Sequence, residues 1–324
     1  MTNPYVRPDV QAFLTYLASA PGPKMHEMTP ADARMAFRML CQVGDPPVGD
    51  LAVVRDMTIP GPAGPIPARL YDPRERREPG PLLVFFHGGG FVVGDLDSHG
   101  PFCAEAARTL DMPVVAIDYR LAPEHPFPAA TDDCEAAARW IAGNPDALGV
   151  KASSLVLAGD SAGGNLTVVV AQALRDAPAA VPVIVQWPIY PAVDSDARYE
   201  SFRTFADGYL LTADSMRWFT QAYAAPGEDV RNAPIRADHA GMPATLIVTA
   251  GLDPLRDQGR AYAAALIQAG VPTVYREATG NIHGFINLRR AIPSGQGDVA
   301  ACLRVLKDMI VEAEATRVMA QAAA

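Results

Sequence analysis

The chain has 324 residues, 49% of them hydrophobic and 19% charged, with a formal net charge of -9 at pH 7. This composition excludes intrinsic disorder, and the negative charge removes any general electrostatic reason to bind nucleic acid or an anionic membrane surface. No apolar run approaches the ~20 residues of a membrane span, and the N-terminal stretch MTNPYVRPDVQAF lacks the apolar centre of a signal peptide, so a cytoplasmic protein without stable membrane association is expected. At roughly 150 residues per domain the length suits two domains, or equally one α/β domain with an elaboration.

Two helical patterns come first, VQAFLTYLASA and TPADARMAFRML, the second opened by Thr29 as N-cap with Pro30 at the first helical position. After the proline-rich VGDPPVGD, the segments LAVVRDMTI and IPARLYD read as two strands around the turn PGPAGP. The pattern then alternates. LLVFF, PVVAIDY, SLVLAGD, VPVIVQW, ATLIVTA and TVYREA are runs of strand length. Between and after them lie the helical stretches GPFCAEAARTL, AATDDCEAAARWIAG, GGNLTVVVAQALRD, GRAYAAALIQAG and VAACLRVLKDMIVEAEA. Apolar strands interleaved with helices predict an α/β fold, with a mostly parallel sheet covered on both faces. About fifty residues separate VPVIVQWPIYPAV from ATLIVTA, including the aromatic, helical YESFRTFADGYLLTADSMRWFTQAYAA. A crossover needs one short helix, so the excess predicts an insertion above the sheet. The expected division is 1–45 as the N-terminal helical part of a cap, 46–194 as the first part of the core, 195–235 as the cap insertion and 236–324 as the rest of the core. Cys41, Cys103, Cys134 and Cys302 have no C-x-x-C spacing, so buried free thiols are expected rather than a zinc or redox site.

Gly159-Asp160-Ser161-Ala162-Gly163 fits G-x-S-x-G, and its context is stronger evidence than the pattern: it follows the strand SLVLAG and opens a helix. A serine there sits on a sharp turn with its hydroxyl projecting from the carboxyl end of the sheet. A serine hydroxyl needs a base, and the base an orienting group. If the order is nucleophile, acid, histidine, only His239 and His283 follow Ser161, and His239 precedes a strand, at its wrong end. His283, in the loop after the last strand, is therefore the expected base. Asp253, directly after ATLIVTA, is preferred as the acid over Asp257, which suits a helix surface or cap. The run His87-Gly88-Gly89-Gly90 follows LLVFF and exposes backbone N–H groups for an oxyanion, and the Ala162 N–H at the helix start can add another. A phosphate-cradling role fits less well, because no Lys-Ser or Lys-Thr follows. His87 and His125 read as loop residues, and no metal or cofactor is expected.

These residues resemble the bacterial hormone-sensitive-lipase-like esterases, a branch of the α/β hydrolases, through HGGGFVVGD, DYRLAPEHPFPAA, GDSAGGNL, DPLRD and IHGF in family order over most of the chain. The resemblance implies an α/β-hydrolase fold with a helical cap, the triad Ser161, Asp253 and His283, and Gly88, Gly89 and Ala162 as oxyanion donors. It also implies cofactor-free hydrolysis of small-molecule esters with short to medium acyl chains. Two positions depart from many relatives: Phe91, where tryptophan is common, and Asn281, where an apolar residue is common; both are expected at the substrate pocket. Phe91, Tyr190 and Leu210 are candidates to wall that pocket, with ordinary packing as the alternative. Asp160 is a candidate to bind a substrate water, fasten the cap or stabilise the turn. An amidase or formamidase would use the same groups, a ligand-binding protein would need the pocket but not the full triad, and an interfacial lipase would need a broad apolar lid. A monomer or a homodimer through an edge strand or the last helix fits the chain.

Overall fold

The computed structural model describes residues 4–19, 22–196 and 198–322. Helices α1 (Pro8–Ser19) and α2 (Pro30–Gly44) precede any strand. The Thr29 hydroxyl accepts the Asp32 N–H, so α2 starts where its capping residue predicts. Strands β1 (Val53–Gly61) and β2 (Gly64–Asp72) form an antiparallel hairpin. They are followed by β3 (Gly80–Phe86), β4 (Val114–Ile117), β5 (Ala152–Asp160), β6 (Val183–Ile189), β7 (Ala244–Leu252) and β8 (Thr273–Ile282). The sheet order is β1-β2-β4-β3-β5-β6-β7-β8, and β2 runs antiparallel to both of its neighbours while all later pairs are parallel. Each apolar run read as a strand forms one. This is the α/β-hydrolase fold.

Helices α3 (Leu96–Leu110), α4 (Ala129–Ala142), α5 (Ala162–Asp176), α8 (Arg256–Gln268) and α9 (Ser294–Ala322) cover the two faces. The side-chain alternation of a strand explains why β3 is apolar without a break. Leu82, Val84 and Phe86 join one core with Ala137, Leu166 and Tyr262, while Leu83 and Phe85 join the other with Phe102, Ala106 and Leu303. Each such side chain contributes about 1.5–3 kcal/mol of burial, so a polar residue anywhere in β3 would weaken one core or the other.

The segment between β6 and β7, helical in its sequence pattern, is helical only in part. Its helices are α6 (Glu200–Thr204) and α7 (Ala213–Tyr223), with an irregular stretch between them. Gly208 (φ 86°) and Leu210 (φ 72°) adopt left-handed backbone there, which breaks a helix. A third apolar cluster joins this stretch to the N-terminal helices: Val10 and Phe13 of α1 pack with Phe205, Leu252, Ile282, Leu288 and Ile292. Leu252 and Ile282 are the last residues of β7 and β8, so the same cluster braces two strand ends.

A buried ion pair adds a polar fastening. Arg289 places Nε 2.8 Å and an Nη 2.7 Å from the two carboxylate oxygens of Asp45, which follows α2. Both side chains are almost fully buried, so removing one partner strands the other charge away from water. Arg289→Met is expected to destabilise the protein by about 3–5 kcal/mol, measured by chemical denaturation against the native chain; a loss below about 1 kcal/mol, typical of surface pairs, would show that this pair does not fasten α2.

Candidate active site

β5 ends at Asp160 and α5 begins at Ala162, so Ser161 makes the whole turn by itself. Its φ of 57° and ψ of -116° lie where a residue with a Cβ is strained. Three backbone hydrogen bonds hold it there: its N–H donates to Ile189 O (2.9 Å), and its carbonyl accepts from Asn165 N (3.1 Å) and Ala192 N (3.2 Å). Helix and strand approach too closely for side chains on either side. A Cβ on Gly163 would lie 1.9 Å from Phe86 O, and one on Gly159 would lie 2.4 Å from Gly163 O. The glycines of G-x-S-x-G are therefore steric requirements of this crossing.

Asp253 follows β7 and His283 follows β8, so both reach the same edge of the sheet as Ser161. His283 Nε2 is 2.9 Å from Ser161 Oγ, and its Nδ1 is 2.7 Å from Asp253 Oδ2. The other Asp253 oxygen accepts the Leu255 N–H at 2.8 Å. A carboxylate can only accept, so it places the ring proton on Nδ1 and leaves Nε2 free to accept from the serine hydroxyl. Asp253 is fully buried, whereas Asp257 accepts the Ser201 N–H and pairs with Arg256 and Arg260. His239 instead contacts Ile235 O with Nε2 and packs edge-on against Tyr262.

The glycine run differs from expectation at one position. The Gly88 N–H donates to Asp160 Oδ1 at 2.7 Å, so it is occupied, and Gly88 does not line the cavity beside Ser161. Gly89, Gly90 and Ala162 do line it. Ala162 is the first residue of α5, where an N–H has no partner within the helix. Gly90 (φ 60°) faces the Phe219 ring, where a Cβ would fall 2.2 Å from Cγ. Among the described residues no hydrogen bond occupies the amides of Gly89, Gly90 or Ala162, so the candidate donors are these three in place of Gly88, Gly89 and Ala162. The expectation failed because the sequence does not say which amide Asp160 takes.

Asp160 is buried and receives Gly88 N–H, with the Tyr190 hydroxyl at 3.3 Å and His99 Nε2 at 3.2 Å. Burial alone would raise its carboxyl, but the facing His99 and the Gly88 N–H hold it below the ordinary range. It fastens the glycine loop and also lines the cavity, and among the described residues no hydrogen bond joins its carboxylate to α1, α2, α6 or α7. His99 carried no sequence signal for this role, because it lies one turn inside α3. His87 stacks on Tyr119 (4.2 Å), and burial with the neighbouring His99 pushes its imidazole down to about 4. Among the described residues, no group of three or more His, Cys, Asp or Glu side chains is placed to hold a metal ion.

A cavity of about 1420 Å³ opens above Ser161. Phe91 and Leu210 line it, and Phe91 stacks on Tyr223 with ring centres 3.8 Å apart. Two expected wall residues do not. Tyr190 lies fully buried behind His283, ring centres 4.5 Å apart, because its left-handed backbone (φ 33°) and its hydroxyl bond turn it toward Asp160. Asn281 donates from Nδ2 to Asp298 on α9 at 3.0 Å and accepts the Ile282 N–H, so it ties β8 to that helix instead of facing substrate. Residues that the sequence did not single out also line the cavity: Phe37 and Leu40 of α2, Met216 and Phe219 of α7, and the buried amides Asn165 and Gln258.

A strained serine on a strand-to-helix turn, paired with a histidine and an aspartate from later strand ends, defines an α/β hydrolase. The family model for the alpha/beta hydrolase fold matches residues 83–287, and the chain belongs to that family, in its hormone-sensitive-lipase-like branch. Relatives agree. The chain is 42% identical over 266 residues to the carboxylic ester hydrolase LipN of Mycobacterium tuberculosis, covering 79% of this chain and 70% of that one. It is 34% identical to the ethyl acetate hydrolase of Pseudomonas putida, covering 93% of this chain and 98% of that one. Among solved structures, the hyperthermophilic esterase of the archaeon Pyrobaculum calidifontis superposes with a TM-score of 0.87 at 38% identity, covering 95% of this chain and 99% of that one.

All four cysteines are free and buried, and Cys41 reaches the cavity wall. Burial pushes each thiol up, keeping it protonated and unreactive. The native protein is expected to resist a thiol reagent at pH 8 and to titrate four thiols once unfolded in denaturant; rapid native modification would contradict the burial that keeps these thiols protonated.

Proposed function

We propose that this α/β hydrolase cleaves carboxylic esters of short to medium acyl chain, with Ser161 as nucleophile, His283 as general base and acid, and Asp253 as the group that orients His283. The observation that carries this reading is the single imidazole bonded on one side to Ser161 Oγ and on the other to a buried Asp253. His283 takes the hydroxyl proton as Ser161 Oγ attacks the ester carbonyl carbon. The resulting oxyanion is received by the N–H groups of Gly89, Gly90 and Ala162, the last at the positive end of α5. His283 then gives its proton to the departing alcohol, leaving an acyl-serine. Water, deprotonated by the same ring, attacks the acyl carbon; as the acyl–Oγ bond breaks, His283 returns that proton to Ser161 Oγ and the acid leaves.

The cavity supports this substrate class. At about 1420 Å³ it exceeds the usual small-ligand pocket of roughly 300–1,000 Å³, and Leu14, Leu17, Phe37 and Leu40 provide apolar walls for an acyl chain. The helices within 1–45 and 195–235 supply many of these walls, which supports reading them as a cap over a core formed by 46–194 and 236–324.

Initial rates on nitrophenyl esters of increasing acyl length test the proposal. Ser161→Ala is expected to lower kcat by at least about 10³-fold, and Asp253→Asn by about 10⁴-fold through the wrong histidine tautomer. Undiminished turnover in Ser161→Ala would overturn the assignment. Asp160→Ala releases the Gly88 N–H and loosens the loop that carries Gly89 and Gly90, so kcat is expected to fall about 10²-fold with KM changed far less; an unchanged kcat would show that the loop holds its shape without Asp160.

A further inference from the structure

The candidate donors Gly89 and Gly90 belong to one tight turn, 89–92. The N–H groups of Val92 (3.0 Å) and Val93 (2.9 Å) both donate to Gly89 O, and the two central residues, Gly90 (φ 60°) and Phe91 (φ 63°), both have left-handed φ. Such turns favour glycine and asparagine, because a Cβ crowds the neighbouring carbonyl there. Phe91 adopts this conformation with a bulky side chain, so contacts beyond the turn must hold it. Asp160 fixes the chain one residue earlier, at Gly88, and the Ala122 N–H donates to Phe91 O (2.8 Å). Neither bond involves the Phe91 side chain.

That side chain meets α7. Phe219 and Tyr223 stand four apart on this helix and therefore share a face. Phe219 lies so close to Gly90 that a Cβ there has no room, and Tyr223 stacks on Phe91 with ring centres 3.8 Å apart and planes within 6°. One helical face thus covers two consecutive residues of the turn. The same end of α7 is anchored, since the Phe127 N–H donates to Tyr223 O (2.9 Å) and the Phe127 ring meets Tyr223 edge-on. Phe91 and Tyr223 are buried, and Phe219 is half-buried at the cavity wall. Among the described residues the Tyr223 hydroxyl has no hydrogen-bond partner, so the ring alone makes the contact with Phe91.

We propose that Phe219 and Tyr223 are positioning residues: from α7 they hold the turn 89–92 in the left-handed shape that presents its amides to the oxyanion. This rests on the ester-hydrolase reading above and gives α7 a role beyond walling the cavity. An oxyanion donor acts strongly only when it is oriented before the reaction begins. Freed from the two rings, the turn would relax toward the right-handed conformations that Phe91 prefers. The loss falls on the transition state, because the oxyanion draws more from these amides than the carbonyl of a bound ester does.

Three readouts test this in Phe219→Ala, Tyr223→Leu and Tyr223→Phe. On nitrophenyl butanoate, Phe219→Ala and Tyr223→Leu are each expected to lower kcat by about tenfold or more, with KM changed less than about threefold. Tyr223→Phe restores the ring and is expected to recover most of the kcat lost in Tyr223→Leu. The second readout compares inhibition by a hexyl trifluoromethyl ketone and by the matching methyl ketone. Ser161 Oγ adds to the carbonyl carbon of the first, its proton passes to His283 and the carbonyl oxygen becomes an oxyanion; the methyl ketone binds without that addition. Inhibition by the trifluoromethyl ketone is expected to weaken in step with kcat, and inhibition by the methyl ketone to change little. The third readout is hydrogen exchange at the Val92 and Val93 amides by NMR, expected to quicken about tenfold in Phe219→Ala as the turn opens. A raised KM with kcat kept, or equal weakening of both ketones, would make the two rings plain cavity walls and overturn the proposal. Unchanged exchange would overturn it as well. Phe219 is only half-buried, so Phe219→Ala decides the matter if Tyr223→Leu does not fold. Quicker exchange in a protein with no Ser161-dependent hydrolysis of any ester would remove the ester reading and leave the hold of α7 on the turn standing.

Discussion

The contact on which the site depends is the close approach of α5 to β3, where Gly163 stands against the carbonyl of Phe86 with no room for a Cβ. That approach forces the chain to reverse within one residue, and Ser161 takes the left-handed backbone that results. Such a conformation costs on the order of 1–3 kcal/mol, offset by bonds from Ile189, Ala192 and Asn165 to the backbone of Ser161. Because β6 supplies Ile189 and the loop after it supplies Ala192, the turn is held by its neighbouring strand as well as by its own helix. The hydroxyl consequently points away from the sheet edge toward the proposed base, with little freedom to do otherwise.

A second constraint is electrostatic. Asp160 is the last residue of β5 and is almost fully buried, so its charge must be answered chiefly inside the protein. His99 and the Gly88 N–H answer it, and the glycine loop is drawn to the nucleophile as a result. One carboxylate thus determines both the position of the loop and which of its amides is free. The arrangement gives the proposed oxyanion donors a fixed geometry before any substrate arrives, the condition under which such donors act most strongly.

The cavity above these groups has two origins. Apolar walls come from helices that lie outside the sheet, whereas Asn165 and Gln258, which also line it, brace the loop after β6. The third apolar cluster joins the N-terminal helix to the ends of β7 and β8, so the covering helices and the strand ends that carry Asp253 and His283 are packed as one unit. Arg289 and Asp45 add a charged fastening at the end of α2, close in sequence to His283.

Much of this was legible in the chain because the signals are local. Strand runs, helix periodicity, the Thr29 cap and the glycine-flanked serine each follow from the residues beside them. That Asp253 and His283 come together with Ser161 was also legible, since a parallel sheet puts every strand's carboxyl end on one edge and only a few acids and histidines follow those ends. What depended on the tertiary structure were the pairings between distant segments. Asp160 chooses Gly88, which shifts the free amides to Gly89 and Gly90; Tyr190 turns behind His283; Asn281 turns toward α9; and Asn165 and Gln258 meet at one loop. A side chain's direction depends on backbone angles and on partners tens or hundreds of residues away, so composition and spacing carry it only where the element is regular. The sequence by itself determined the sheet, the turn and the chemical groups along one edge. The packed structure decided which hydrogen-bonding atoms at that edge are already occupied and which are free for a substrate.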